Sequence, residues 1–131
     1  MLTCKTWQKM RRHVSRCAPL EACGLLSGSH EQVNGSQGIP NAERSPVRFR
    51  MEPHAQWHAF QSIEAAGQEM VGIYHSHPNG PNRPSPTDIA ENMYPVSQII
   101  WFREKGQWCA RAYNIENKIS VEIPLEIQKS E

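Results

Sequence analysis

Residues 70–88 decide the fold and read MVGIYHSHPNGPNRPSPTD. The run Met70–Tyr74 is short and apolar, which is typical of a buried strand. A loop rich in Pro, Asn and Gly follows over residues 77–84. Ser85 and Pro86 then suit the cap and the first position of a helix. The stretch therefore predicts a strand, a loop and a short helix from about Pro86 to Met93.

The sequence before this stretch predicts two helices and one buried strand. An amphipathic helix over Thr3–Cys17 has apolar residues at spacings of three and four, and the apolar run Ala22–Ser27 follows as a strand. Residues 29–50 are rich in Gly, Ser, Asn and Pro and predict one or two edge strands, including Pro46–Phe49. A second helix over Pro53–Ala66 has an inward stripe made of Ala59, Phe60, Ile63 and Ala66.

The sequence after this stretch predicts three more strands. They cover Val96–Phe102, Trp108–Tyr113 and Ile119–Ile123, with turns at Glu104–Gly106 and near Asn117. Strands that alternate with helices and then follow one another indicate an α/β (α+β) fold with a mixed β-sheet flanked by about three helices. At 131 residues, the chain is expected to form a single domain over residues 1–131.

Composition excludes several classes of function. The 14 basic and 13 acidic side chains leave a net charge of +1 and no basic stripe in the sequence, so we expect no nucleic-acid partner. No run approaches the roughly 18 apolar residues of a membrane span, so we expect no membrane association. The N-terminus has no apolar segment of a secretory signal, so we expect a cytoplasmic protein. The four cysteines form no C-x-x-C pair and are expected to be free thiols.

The candidate chemistry lies in His75, His77 and Asp88. Residues i and i+2 of an extended chain point the same way, so both imidazoles can reach one metal ion. Asp88, the only aspartate of the chain, stands where the next helix could supply an oxygen ligand. Two imidazoles and one carboxylate leave a fourth tetrahedral position open, which is the pattern of a catalytic zinc. Glu21, just before the strand Ala22–Ser27, is the candidate base if the two strands are neighbours.

Each of these residues also has a purely structural interpretation. Ser85 and Asp88 could simply cap a helix, and His75 and His77 could lie in a turn. A rival pair, His54 and His58, has the i, i+4 spacing of a zincin but lacks the Glu after the first histidine. Outside these sites, the sequence indicates surface positions for His13 and His30. Trp57 lies off the inward stripe of its helix, so it is either partly exposed, where it could contact a partner, or at the edge of the core, which the sequence favours.

At these residues the sequence resembles the JAMM/MPN+ metalloprotease family. The motif of that family is an upstream glutamate followed by H-x-H-x7-S-x-x-D, and this chain matches it at Glu21, His75, His77, Ser85 and Asp88. The stretches EACGLLSG at residues 21–28 and GIYHSHP at residues 72–78 also resemble the family. The resemblance implies the MPN/JAMM fold with cytidine-deaminase-like layering, over about residues 1–125.

The resemblance also implies a function and a role for each site residue. His75, His77 and Asp88 would hold one Zn²⁺ per chain, Glu21 would act as general base and then general acid, and Ser85 would donate its hydroxyl to the oxyanion. The substrate would be a peptide or isopeptide bond after the C-terminal Gly-Gly of a ubiquitin-like or sulfur-carrier protein. The short chain is similar to the compact prokaryotic members of the family.

Two other functions stay open at the level of sequence. One is a non-catalytic MPN-type scaffold, although such members usually lack a ligand and this chain lacks none. The other is a nucleic-acid-associated relative, against which the near-neutral charge argues. The oligomeric state also stays open, with a homodimer as one alternative.

Overall fold

One mixed sheet runs through the part of the chain that the computed structural model describes, residues 1–29 and 32–128. In these residues the chain forms, in order, β1 (Leu2–Thr3), α1 (Cys4–Cys17), β2 (Cys23–Ser29), β3 (Gln32–Ile39), α2 (Pro53–Ala65), β4 (Glu69–His77), α3 (Pro86–Ala90), β5 (Ser97–Glu104), β6 (Gln107–Glu116), β7 (Ile119–Ile123) and β8 (Ile127–Gln128). The strand order is β7-β6-β5-β4-β2-β3-β1-β8. The pair β4–β5 is parallel, whereas β2 pairs with both β3 and β4 in antiparallel fashion. The predicted mixed sheet with flanking helices is therefore confirmed.

The sheet buries apolar side chains on both of its faces. Met10 and Val14 of α1 pack with Tyr74 and Trp101 on one face. Ala59 and Ile63 of α2 belong to the cluster on the other face, together with Leu25 and Ile73. Side chains alternate along a strand, so His75 and His77 of β4 lie on the same face as Ile73. The α2 face of the sheet therefore carries both histidines.

Helix α1 begins and ends as its sequence predicts. The Thr3 hydroxyl accepts a hydrogen bond from the backbone N–H of Thr6 at 3.2 Å, which caps the first turn. Five exposed basic residues cover its outer side: Lys5, Lys9, Arg11, Arg12 and Arg16. The expectation that the chain has no basic stripe is therefore wrong, because the helical period gathers charges that the sequence separates. The expectation of no nucleic-acid partner then depends on net charge alone.

Helices α2 and α3 are shorter than predicted. Gly67 leaves the helical region with a φ of 72°, so α2 ends at Ala65 and Ala66 is its C-cap. Ala66 is exposed, and the predicted inward stripe therefore ends at Ile63. Helix α3 ends at Ala90 rather than Met93. The Asn92 side chain instead accepts a hydrogen bond from Gln98 Nε2 at 3.0 Å, which ties this turn to β5.

Three local predictions are wrong, and one cannot be compared with the structure. Pro46–Phe49 is irregular backbone and not an edge strand. Trp57 is 57% exposed on the outer side of α2 rather than at the edge of the core. His13 is half-buried, and its Nδ1 lies 2.7 Å from the Tyr74 hydroxyl. His30 lies outside the described residues. No helix in the described ranges is long and apolar enough to cross a membrane.

Candidate metal centre

Three donor atoms meet at the end of β4. The Nε2 atoms of His75 and His77 lie 3.1 Å apart, and Oδ2 of Asp88 lies 3.1 Å from each of them. Both rings are buried, and the Asp88 side chain is 11% exposed. Zinc–ligand bonds of 2.0–2.1 Å in a tetrahedral site put neighbouring ligand atoms about 3.3 Å apart. The three atoms therefore form a triangle of the size that one zinc ion requires.

The chemistry of His77 shows that this triangle fits a cation. Its Nδ1 lies 2.8 Å from the carbonyl oxygen of Pro81, so this nitrogen must carry the hydrogen and donate it. In the neutral ring, Nε2 then has no hydrogen, and its lone pair faces Oδ2 of Asp88 and Nε2 of His75. Lone pairs at this distance repel one another unless a proton or a metal ion lies between them. The Pro81 carbonyl is also the kind of partner that orients a metal-binding histidine.

Ser85 and Asp88 are joined by a complete capping box. The Ser85 hydroxyl oxygen accepts from the backbone N–H of Asp88 at 3.0 Å, and Oδ2 of Asp88 accepts from the backbone N–H of Ser85 at 2.8 Å. The same Oδ2 points at both histidines. The capping and the metal-ligand interpretations of these two residues are therefore compatible, because the cap aims the carboxylate.

Glu21 is buried beside the two histidines. Its Oε2 lies 3.9 Å from Nε2 of His77, and its Oε1 is buried without a hydrogen-bond partner. Donor atoms of Glu21, His75 and His77 all lie within 4.8 Å of one another. The structure therefore brings together the five residues that the sequence singled out, with Glu21 adjacent to the triangle.

Ser76 helps to place Glu21, a role that the sequence analysis missed. Its hydroxyl accepts from the backbone N–H of Ala22 at 2.8 Å, and its own N–H donates to the carbonyl of Ala22 at 3.0 Å. These bonds extend the pairing of β2 with β4 past its last regular pair, Cys23 with His75. The position of Ser76 between the two histidines is the signal that could have identified it.

Burial and charge perturb the acids and bases of the site in different directions. Burial raises the pKa of the Glu21 carboxyl to about 8, with His77 opposing the shift and the Asp88 charge adding to it. Burial also lowers the pKa of His75. For Asp88 burial acts upward, but the bonds to His75, His77 and the Ser85 N–H hold the pKa of this carboxyl well below its usual range. These shifts keep Asp88 anionic and favour the protonated form of the buried Glu21 carboxyl near neutral pH.

A cavity of about 580 Å³ opens beside the triangle, with His75 and Asp88 in its wall. Much of the remaining wall is apolar and includes Phe49, Met51 and Tyr94. The cavity is large enough for a short stretch of extended chain and places it against two of the three residues of the triangle.

The rival metal pair is not supported. His54 and His58 are both exposed on α2, and neither belongs to the cluster of ligand atoms found in the described residues. The four cysteines Cys4, Cys17, Cys23 and Cys109 are free. Only Cys23 is buried, and burial raises the pKa of its thiol to about 12, so it is inert at neutral pH.

Several named proteins are similar to this chain. It is 39% identical over 110 residues to the desampylase of Pyrococcus furiosus, covering 82% of this chain and 77% of that protein. It is 38% identical over 95 residues to the "probable TtuB-protein conjugate cleaving protease" of Thermus thermophilus, covering 72% of this chain but only 64% of the length of that relative. It is 32% identical over 122 residues to the CysO-cysteine peptidase of Mycobacterium bovis, covering 90% of this chain and 84% of that protein.

Solved structures show the same fold. A solution structure of a protein from Desulfitobacterium hafniense superposes with a TM-score of 0.88 at 29% identity, covering 99% of this chain and 94% of that one. A JAB1/MPN domain protein from Archaeoglobus fulgidus superposes with a TM-score of 0.65 at 20% identity, over 97% and 95% of the two chains. The likeness to the second structure gives this chain the MPN/JAMM fold. The family described as prokaryotic homologs of the JAB domain matches residues 4–116. This chain belongs to that prokaryotic JAB/JAMM (MPN) domain family.

Proposed function

We propose that this protein is a zinc-dependent hydrolase that cleaves a peptide or isopeptide bond after the C-terminal Gly-Gly of a ubiquitin-like or sulfur-carrier protein. The observation that carries the proposal is the triangle of His75, His77 and Asp88 donor atoms at 3.1 Å, with the Glu21 carboxylate 3.9 Å from His77. A catalytic zinc site needs three such ligands, an open position and a nearby base.

Each residue has one role in this proposal. His75, His77 and Asp88 hold one zinc ion, which when bound polarises the scissile carbonyl and makes a water molecule more acidic. Glu21 accepts a proton from the attacking water and later gives it to the leaving amine. Its raised pKa suits this exchange, because a group that both accepts and returns a proton works best near the ambient pH.

Ser85 is proposed to stabilise the negative charge that develops on the carbonyl oxygen. Its hydroxyl oxygen already accepts a bond from the Asp88 N–H, so the hydroxyl hydrogen is free to turn towards the substrate. The cap fixes the Ser85 oxygen next to the carboxylate that holds the metal. The donor is therefore in place before the charge develops, which is the arrangement that stabilises an oxyanion most.

The substrate class follows from the relatives and from the shape of the site. The names of the relatives describe a desampylase, a conjugate-cleaving protease and a CysO-cysteine peptidase. A diglycine tail would let an extended chain pass close to the buried donor atoms, because glycine has no side chain to exclude. We place this activity in the cytoplasm, where four free thiols are the ordinary state.

The test is cleavage of a purified fusion that joins a ubiquitin-like protein ending in Gly-Gly to a reporter. We expect one zinc per chain, cleavage after the second glycine, loss of cleavage with a chelator and recovery when zinc is returned. A fusion with Ala-Ala in place of Gly-Gly is the matched control. We expect its cleavage rate to be at least about tenfold lower, because the added methyl groups would clash with the walls of a narrow site. Equal cleavage with and without the chelator would refute the proposed mechanism.

A further inference from the structure

Residues 40–52, here called the covering segment, link β3 to α2 and lie across the metal centre. Their backbone bonds are mostly internal to the segment: the N–H of Ala42 donates to the carbonyl of Arg50 at 2.7 Å, and the N–H of Glu52 donates to Pro40 at 2.9 Å. Asn41 and Met51 form an isolated bridge. The segment is therefore a closed loop with defined geometry, although it is not part of the sheet.

One carboxamide organises this loop. The Asn41 Nδ2 group donates to the carbonyl oxygen of Arg48 at 2.9 Å, and Oδ1 accepts from the backbone N–H groups of Glu43 and Arg50 at 3.0 Å each. The second hydrogen on Nδ2 goes outside the segment, to the carbonyl oxygen of Glu21 at 3.1 Å. All four hydrogen-bonding positions of the amide are used, and only a carboxamide supplies two donors and two acceptors in one planar group.

The covering segment thereby holds the backbone of Glu21 on both sides. The Glu21 carbonyl accepts from Asn41, and the Glu21 N–H donates to the carbonyl oxygen of Ser45 at 2.8 Å. Glu21 precedes β2, so the regular pairs of the sheet do not include it. These two bonds, together with the Ser76 bonds to Ala22, fix the direction in which the Glu21 side chain leaves the backbone.

The same segment places an aromatic ring over one of the proposed ligands. The rings of Phe49 and His75 are stacked, with centroids 4.5 Å apart and planes 25° apart. The Nδ1 atom of His75 is buried and has no hydrogen-bond partner. A metal-binding histidine is usually oriented by a hydrogen bond from this other nitrogen, as His77 is by Pro81. For His75, the stacked face of Phe49 and the edge of the His77 ring are the ring contacts that restrict its rotation.

We propose that Asn41 is a positioning residue for both the base and a metal ligand. It fixes the backbone of Glu21, and it holds Phe49 against the ring of His75. This inference rests on the proposed function, because it takes Glu21 as the base and His75 as a zinc ligand. It assigns a role to a segment outside the family motif. It also explains why four hydrogen bonds of one side chain hold an irregular loop.

Zinc affinity is the first measurement, by competition with a chromophoric chelator, since it does not depend on turnover. We expect Phe49→Ala and Asn41→Ala each to weaken zinc binding by about tenfold, the lower end of what removing an outer contact of a ligand costs. The double variant should lose little more than either single variant, because both changes remove the same contact. Val47→Ala, at a position in the same segment that is 69% exposed, is the matched control and should bind as the wild type does.

Turnover with saturating zinc is the second measurement and tests the Glu21 branch. Asn41→Asp keeps the acceptor oxygen for Glu43 and Arg50 but cannot donate to the carbonyls of Glu21 and Arg48. Saturating zinc offsets the weaker hold on Phe49, so a fall in kcat of at least about tenfold with KM nearly unchanged reports on Glu21. Phe49→Leu should keep most of kcat once zinc saturates the site. Circular dichroism and the unfolding midpoint of each variant identify any that fail to fold. If Asn41→Ala fails to fold, Phe49→Ala decides the zinc-affinity branch and Asn41→Asp decides the Glu21 branch.

Three results would overturn the inference: wild-type zinc affinity in Phe49→Ala, additive losses in the double variant, or an unchanged kcat in Asn41→Asp. Failure of the proposed function would look different. A wild-type protein that binds zinc but cleaves no diglycine fusion would refute the proposed substrate class, while the zinc affinities would still report on the contact between Phe49 and His75.

Discussion

Glu21 Oε2 lies 3.9 Å from His77 Nε2 because Cys23 pairs with His75 across β2 and β4. In an antiparallel pair, two residues before Cys23 face two residues after His75. This register brings Glu21 opposite His77. The carboxylate is buried, and its Oε1 has no hydrogen-bond partner. A buried carboxyl group with an unpartnered oxygen is costly for stability, which is expected of a group kept for chemistry.

Glu21→Gln should therefore separate metal binding from turnover. The amide keeps the size of the side chain but cannot accept and return a proton, so we expect kcat to fall by about 10²–10⁴-fold. Zinc content should remain at one per chain, because the three triangle atoms are unchanged. Steady-state cleavage of the diglycine fusion and metal analysis check both statements. Glu64→Gln, on the exposed side of α2, is the control, and a fully active Glu21→Gln would remove Glu21 as the base.

The site could be predicted from the sequence because each part depends on a local rule. The spacing of His75 and His77 on a strand puts both rings on one face, and the pattern Ser85–Asp88 predicts the helix start that the capping box forms. The two-residue turn at Lys105–Gly106 also follows from local residue types, with φ angles of 53° and 78°. Only the approach of Glu21 required knowing which strands are neighbours, and the family resemblance supplied that.

The covering segment could not be predicted for a physical reason. Its backbone is held by the Asn41 side chain and by a bond from Glu21 to Ser45, so its conformation depends on contacts that are distant in sequence. The β-propensity of Pro46–Phe49 suggested a strand, but within residues 1–29 and 32–128 no strand pairs with it. The strands β1 and β8 are two residues each and carry too little pattern to recognise.

Removal of one imidazole should abolish zinc binding. In the wild-type protein, zinc at 100 times its dissociation constant should stabilise the fold by about 2.7 kcal/mol. We expect no such stabilisation in His77→Ala, since two remaining ligands do not make a zinc site. Thermal unfolding with and without zinc, together with zinc analysis, checks this. His58→Ala is the matched control, and loss of zinc from that variant would instead support the rival pair on α2.

Ser85→Ala should reduce both activity and stability, for separate reasons. Loss of the oxyanion donor should lower kcat by about 10²–10³-fold, or about 2.7–4 kcal/mol. Loss of the cap should lower the free energy of unfolding by about 1 kcal/mol. Cleavage kinetics and urea unfolding measure the two effects independently. Ser85→Thr keeps the hydroxyl and should retain most of both properties. A stability loss with unchanged kcat would leave Ser85 only its structural role.

His13 should make stability depend on pH. Burial, together with the nearby charge of Arg16, lowers the pKa of His13 below its ordinary value of 6.5. Below pH 6.5 the unfolded chain therefore binds a proton that the folded chain resists, and the free energy of unfolding falls until the pH passes the folded pKa. Above pH 6.5 the ring is neutral in both states, so this contribution to the pH dependence vanishes.

The comparison of wild type with His13→Gln isolates this effect from the titration of His75 and His77. We expect urea unfolding between pH 5 and pH 8 to show a steeper acid decline for the wild type than for the variant, whose amide has no proton to gain in this range. The Hε1 resonance of His13, followed by NMR, should give a pKa below 6.5 directly. Parallel declines, or a measured pKa at or above 6.5, would contradict the claim that the ring stays neutral against Tyr74.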